Sequence, residues 1–356
     1  MNFNFDINAF QQIEERHLQD FDNVQPLADD DDEEQGNNGF SAEAILGDED
    51  DQLMTTLCNF TCQQFMNIFN IVNPILTQAH SGGRHSKLTP KSILLITLTF
   101  LKSAMPLNNM SVQFGYSVPY LSKLITGTVF LCSQPLAIYF IRWIPMEQYV
   151  ANHCLFTNFP QCICAVDGSV QEIPRPQENQ AAYYSGKHHF HCLKMQVAVG
   201  PIGLAVDISG PHPGSLHDFK IFKDLSNTRY RIDAEKQRHQ ITNPGDPTVS
   251  ALFDKGYIGV NNVIAEPKLP YRKSVGRNLT PQEIDYNNRI GQDRIIVERW
   301  FGRLKRIWRI MFECFPLKIE KYGEFYMMCA ALTNYHIQHH SLTNGDPIDP
   351  FRYDDI

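Results

Sequence analysis

Apolar residues follow one rhythm in the first part of this chain and another in the rest. Between about residues 53 and 155 they recur at helical spacing, and the pattern predicts helices over 91–101, 110–116 and 118–127. Beyond 155, short runs rich in Ile, Val and Cys are bounded by Gly and Pro. Those at 161–166, 191–199 and 202–208 read as strands, the last two joined at Gly200-Pro201, so that the three form an antiparallel trio. A helix over 216–225, a strand over 248–253 and a short strand at 263–265 extend the trio into a mixed sheet with helices on its faces, an α/β fold. The polar stretch 229–246 reads as a loop or insertion. Thr280-Pro281 is an N-cap followed by proline at the first helical position. It opens a long helix to about Met311, with Ile296, Trp300, Leu304, Ile307 and Met311 as its buried stripe. A closing helix spans 322–340.

The expected organisation is an acidic, mostly disordered tail over 1–52, a helical domain over 53–155, the α/β domain over 156–342 and a C-terminal tail over 343–356. Charge changes the picture of what such a chain can bind. Residues 1–51 hold 16 Asp and Glu against the single Arg16, a net of −15, which leaves +7 for the remainder of a chain whose net charge is −8. The body is basic and the tail acidic. The tail suits a solubilising extension, or a segment that competes with DNA for the basic body.

In the helical domain, SVQFGYSVPYLSKLI reads as a short helix, a turn at 116–118 and a third helix exposing Tyr120, Ser122 and Lys123, which is helix-turn-helix-like, with Lys123 as a phosphate contact. Residues 124–141 carry no charge over 18 positions, but Gly127, Ser133, Gln134 and Pro135 interrupt them, so a buried helical pair split at Ser-Gln-Pro is expected rather than a membrane span. The first thirty residues lack a basic start followed by an apolar core, so no signal peptide is expected and the protein reads as intracellular. Nine scattered cysteines then read as reduced, mostly buried thiols. The cluster His188-His189-x-His191-Cys192 sits on a strand, where neighbouring side chains diverge, and reads as satisfied or exposed histidines rather than a zinc site.

The candidate chemistry lies in three carboxylates. Asp167 in CICAVDGS and Asp254 in SALFDKGY stand where apolar strands are expected to end, which is where open α/β sheets place ligands. Glu298 lies on the long helix among Arg294, Arg299, Arg303, Lys305, Arg306 and Arg309. Converging carboxylates hold hard divalent cations and leave coordination positions for water and phosphate. A basic helix face beside them suits a phosphate track, though a solvated face of i,i+4 ion pairs has the same pattern.

The motifs AVDGS, YYSGK, PGSLHD, FDKGY, LTPQEIDYNNR and VERWFGRLKRIW together carry a resemblance. From about Leu88 to His340 the chain resembles transposases of the PIF/Harbinger superfamily and the harbinger-derived nucleases, within the wider IS5-like DDE group. The resemblance implies an RNase H-like DDE catalytic domain with Asp167, Asp254 and Glu298 as the catalytic, metal-binding triad. It implies two Mg²⁺ or Mn²⁺ ions, Asp167 bridging both, one activating water against a phosphodiester and the other stabilising the departing 3′ oxygen, with strand transfer to follow. His217 and Asp218 match a supporting pair, and Asp218 is the rival for the second acid. Lys187, Lys194, Arg294, Arg303, Lys305, Arg306 and Arg309 are the remaining candidate phosphate contacts. The implied partners are DNA, as transposon ends and target, a Myb-like DNA-binding protein, and further copies of the chain. The implied location is the nucleus, reached from the cytoplasm with the partner's help. A catalytically silent DNA-binding protein and a partner-recruiting scaffold remain the alternatives.

Overall fold

The chain is represented by a computed structural model that describes residues 40–81, 88–274 and 276–342. It divides into two compact units. One comprises the chain up to Tyr139 together with Trp308–Ile310 and Glu324–Met328; the other comprises Phe140–Ile307, Met311–Gly323 and the chain from Cys329. The stretch 140–155, expected with the helical domain, thus belongs to the second unit.

The first unit is helical: α1 (Ala42–Gly47), α2 (Asp51–Cys58), α3 (Cys62–Ser81), α4 (Pro90–Ser103), α5 (Leu107–Phe114) and α6 (Val118–Phe140), whose last residue falls in the second unit. Ser41 caps α1 by accepting from the Ala44 N–H at 3.3 Å, and Asp50 caps α2 by accepting from Leu53 N–H at 2.8 Å. The described end of the acidic stretch is therefore helical, which corrects the expectation of a disordered tail there; residues 1–39 of that expectation lie outside the described residues, as does the C-terminal tail at 343–356.

Two more expectations fail in this unit. Helix α6 runs unbroken through Gly127 and Pro135 instead of splitting at Ser-Gln-Pro. An internal proline costs a helix about 3 kcal/mol. Each large apolar side chain buried returns roughly 1.5–3 kcal/mol, and Leu131, Leu136 and Phe140 are all buried around it. This is also the one helix among the described residues long and apolar enough to cross a membrane, and 67% of its apolar window is buried inside the protein. Tyr120 is buried rather than exposed, because the turn at Gly115–Ser117 directs it inward to stack with Tyr116 at 5.3 Å.

The second unit is α/β: α7 (Met146–Ala151), β1 (Cys162–Glu172), α8 (Gln180–Tyr183), β2 (Tyr184–Ser185), β3 (Phe190–Val199), β4 (Ala205–Pro213), α9 (Asp218–Asp224), α10 (Thr228–Thr242), β5 (Ser250–Phe253), α11 (Pro281–Ile307) and α12 (Tyr322–His339). Five residues of α12, Glu324–Met328, are counted in the first unit. Strand β1 is central. It pairs antiparallel with β3 from Ala165↔Val199 to Glu172↔Cys192, and parallel with β5 from Cys162↔Ser250 to Val166↔Phe253. Strand β4 pairs antiparallel with β3, completing the expected trio in a mixed sheet.

One side of the sheet packs Cys164, Val166, Ala198 and Phe253 against Phe222 of α9, Ile232 of α10 and the fully buried Tyr257. Helix α10 replaces the expected loop. Its buried residues are Thr228, Ile232, Glu235 and His239, a true helical stripe in which only Ile232 is apolar, so a hydrophobic pattern could not reveal it. The expected strand at 263–265 is absent; instead Lys268 makes a single parallel bridge to Leu252.

Helix α11 starts with a reciprocal capping box: the Glu283 N–H donates to Thr280 Oγ1 at 3.2 Å, and the Thr280 N–H donates to Glu283 Oε2 at 2.8 Å. Its buried side carries Ile290, Asp293, Arg294, Val297, Trp300, Leu304 and Ile307. Two polar anchors fix it. Asp293 accepts from the N–H groups of Asn158 and Phe159, both at 3.0 Å, just ahead of β1. Asn334 of α12, fully buried, accepts from Trp300 Nε1 at 2.9 Å and exchanges hydrogen bonds with the Ala205 backbone at 2.9 and 2.8 Å. These anchors set which residues of α11 meet the end of β5.

Candidate active site

Asp254 ends its strand as expected, one residue past Phe253. Asp167 does not, because β1 runs five residues beyond it to Glu172, held by β3 alone after β5 stops. The parallel register pairs Val166 with Phe253, so the next residue on each strand is an aspartate, and the two acids stand side by side where β5 gives out. The sequence places the acids; the register brings them together.

What joins them is a side chain expected to contact phosphate. Arg294 Nη2 donates to Asp167 Oδ2 at 2.9 Å, while Nη1 lies 3.7 Å from Asp254 Oδ1 and 3.9 Å from Glu298 Oε1. One guanidinium is thus shared by all three carboxylates. Its side chain is 9% exposed, against 24% for Asp167, 44% for Asp254 and 62% for Glu298. The i,i+4 pair Arg294–Glu298 is therefore no solvated ion pair: its cation points into the sheet.

Asp167 also accepts from the Gly168 N–H at 2.8 Å. Burial nevertheless pushes its pKa up to about 6, against the pull of Arg294 and that N–H and with the push of Asp254 and Asp218. Glycine at 168 has a steric purpose. A Cβ there would stand 3.3 Å from Asp218 Oδ1, so the missing side chain admits a carboxylate from the start of α9.

Asp218 is close but differently held. Lys194 Nζ pairs with its Oδ1 at 3.1 Å and donates to Leu216 O at 2.6 Å. The buried Gln196, opposite Gly168 in the register, donates to Asp218 O at 3.1 Å and to Tyr257 OH at 2.9 Å. Burial raises the Tyr257 hydroxyl well above its ordinary range, so it stays protonated. A Cβ at Gly256 would lie 3.7 Å from both Asp218 Oδ2 and Asp254 Oδ2, which measures how near the rival acids are. His217 precedes α9 and is exposed.

Among the expected phosphate contacts, three already have partners within the protein. Arg294 and Lys194 are engaged by carboxylates, as above. Arg303 donates to His336 Nδ1 at 3.1 Å, His340 O at 2.7 Å and Ser341 O at 3.0 Å, closing the end of α12 rather than lining a groove. Lys305 is half-buried with Nζ 3.4 Å from Val170 O, and burial lowers its pKa. Lys187 and Arg306 are exposed, Lys123 is half-buried on α6, and Arg309 is exposed in a 3-10 turn counted with the first unit. Sequence reasoning missed Gln196 and Tyr257 as site residues. Tyr257 closes the FDKGY motif but carries no signal of its own there, and Gln196 is singled out only by the register opposite Gly168, from which it reaches the Tyr257 hydroxyl.

A divalent cation suits the donor chemistry, since the three groups are hard carboxylate oxygens already converging on a cation. As they stand, no three His, Cys, Asp or Glu side chains among the described residues are grouped closely enough to share a metal ion.

Residues 166–334 match the family described as DDE superfamily endonuclease, a span that begins one residue before Asp167 and includes Asp254 and Glu298. The chain is also similar to a protein of Microchaete diplosiphon named probable transposase for insertion sequence element IS702, with 25% identity over 175 residues, 49% of this chain and 57% of that protein. The chain thus spans little more than half the length of the curated relative it matches. No solved structure matches the chain at a significant level.

Proposed function

We propose that the chain is a DDE-type, metal-dependent DNA endonuclease or transposase of the PIF/Harbinger kind, with Asp167, Asp254 and Glu298 as its metal ligands. The observation that carries this reading is the convergence of those three carboxylates on a single cation at the carboxyl end of β5. The sheet supports an RNase H-like fold: three antiparallel strands, β4, β3 and β1, followed by the parallel β5.

In this reading Mg²⁺ or Mn²⁺, two ions when loaded, would supply Lewis acidity to the phosphodiester and help to activate water for attack. The chain's own residues do the rest. Asp167, fixed in the middle of a strand, would be the most rigid of the three ligands. Asp254 and Glu298, more exposed, close from the strand end and the helix. Lys194, paired with Asp218 at 3.1 Å, offsets part of the charge that this fourth acid brings to the site. Exposed Lys187 and Arg306 are the cations left for DNA backbone, and the α5–turn–α6 segment with Lys123 is the candidate end-recognition element. Strand transfer to target DNA, a Myb-like partner, self-association and nuclear residence complete the proposal.

The test is Mn²⁺-dependent nicking of supercoiled plasmid by the full chain. Wild type converts plasmid to open circle, EDTA stops it, and Asp167→Asn and Glu298→Gln abolish it while circular dichroism stays unchanged. Nicking that survives EDTA sinks the metal assignment. Activity retained in Asp254→Asn but lost in Asp218→Asn makes Asp218 the second acid.

A further inference from the structure

Arg294 is unusual in how little holds it. A guanidinium offers five N–H donors in a planar fork and pairs best with a carboxylate through two parallel hydrogen bonds. Here it makes one good bond, to Asp167 at 2.9 Å, and its approaches to Asp254 and Glu298, at 3.7 and 3.9 Å, are charge contacts beyond hydrogen-bond length. Its Nε, buried, has no hydrogen-bond partner. A side chain built as a permanent strut would be expected to satisfy that donor, because an orphaned buried N–H costs stability. Arg294 is instead held mainly by the summed charge of three acids, whose formal −3 it reduces to −2.

A divalent cation in the same place would sit about 2.1 Å from carboxylate oxygen with twice the charge, and Asp254 and Glu298 are the two acids open to solvent, at 44% and 62% exposure. We propose that Arg294 is a resident counter-cation, occupying the position a divalent ion needs and keeping the acids together until that ion displaces it. The inference rests on the metal-dependent reading above and adds to it: ion binding competes with an internal cation, so the site is stable when empty and selective for ions of higher charge. Arg294 is on this account a positioning residue. Its loss loosens the empty site and tightens the loaded one.

The experiment uses the full chain with Arg294→Gln and Arg294→Lys, following free Mn²⁺ by electron paramagnetic resonance during titration, and melting in EDTA and in MnCl₂. Arg294→Gln is expected to melt lower than wild type in EDTA, to bind its first Mn²⁺ roughly tenfold tighter, and to gain more from Mn²⁺ on melting; removal of one nearby unit charge at a partly exposed site has about that size. Arg294→Lys, a point charge without the fork, falls between. Equal or weaker Mn²⁺ affinity in folded Arg294→Gln overturns the proposal and makes Arg294 a permanent orienting partner of Asp167. Should that variant fail to fold, the same affinity comparison on Arg294→Lys decides. Mn²⁺ binding by wild type that is unaffected by Asp167→Asn would overturn the metal reading itself, a result separable from the first because it does not involve Arg294.

Discussion

Asp167 and Asp207 are nearly twins by the usual measures. Each is an aspartate on a strand of the same sheet, each is largely buried, each has its pKa raised chiefly by burial, and each is paired with an arginine from a helix. They differ in how their neighbours are shared. Asp207 has Arg231 at 3.3 Å and the Thr228 hydroxyl at 2.6 Å, and no second acid among the described residues competes for either. Asp167 divides its arginine with Asp254 and Glu298. Burial and a raised pKa therefore do not set the proposed metal ligand apart from an acid held only by its own neighbours. A deficit of positive charge does, because only there does an added cation lower the energy of the fold.

The largest effect that could break this comparison is catalytic. Asp167→Asn should reduce Mn²⁺-dependent plasmid nicking by at least about 100-fold, since even outer partners of metal ligands cost about 10–100-fold, whereas Asp207→Asn should leave it within about threefold. Comparable losses in both would mean that Asp207 is not merely structural. Next in size, Asp207→Ala strands the buried Thr228 hydroxyl and should cost about 2–3 kcal/mol in urea unfolding at neutral pH; a loss below about 0.5 kcal/mol would deny its structural role.

The pH dependence of Asp167 sharpens the contrast further. Its carboxyl titrates near 6 in the fold against an ordinary 3.8, so between those values the folded chain holds a proton the unfolded chain has released. Stability from this group is present below about pH 4 and is lost as pH rises through about 6. Asp167→Asn should match wild type near pH 3.5 and exceed it by about 2 kcal/mol above pH 6.5, as read by melting across that range. An advantage that grows toward acid would reverse the sign and refute the account. The smallest effect belongs to Arg231, whose side chain is 46% exposed. Arg231→Gln should cost about 0.5 kcal/mol or less and leave Mn²⁺ affinity untouched.

Strands and helices with strong apolar patterns were legible in the chain: β3, β5, α4, α11 and α12 lie within a few residues of their expected bounds. Helix α10 was hidden because its buried stripe is Thr228, Glu235 and His239 around a single Ile232, with Glu235 buried to receive the Met146 N–H at 2.7 Å. Polar burial of that kind is decided by a partner 89 residues away, which no local window contains. The same limit governs the site. Asp167, Asp254 and Glu298 could be selected by their frames, but the strand running past Asp167, the sharing of Arg294 and the capture of Lys194 by Asp218 depend on register and on the other strands. Basic residues on α11 read as one phosphate track because spacing cannot say which of them the fold consumes internally.

The extension of β1 past the end of β5 has a consequence for solubility. From Asp167 to Glu172 the strand has a neighbour on one side only, and a bare strand rim invites another chain to pair with it. Three of its outward-facing groups are already taken: the Gly168 N–H by the Asp167 carboxylate, the Val170 carbonyl by Lys305, and the Glu172 carbonyl by the Phe315 N–H at 2.9 Å. Gln171 adds a bond from its side chain to the Glu313 carbonyl. A lysine and a short returning segment thus deny this rim to an invading strand, and changes at Lys305 or at 313–315 would be felt first as self-association of the chain.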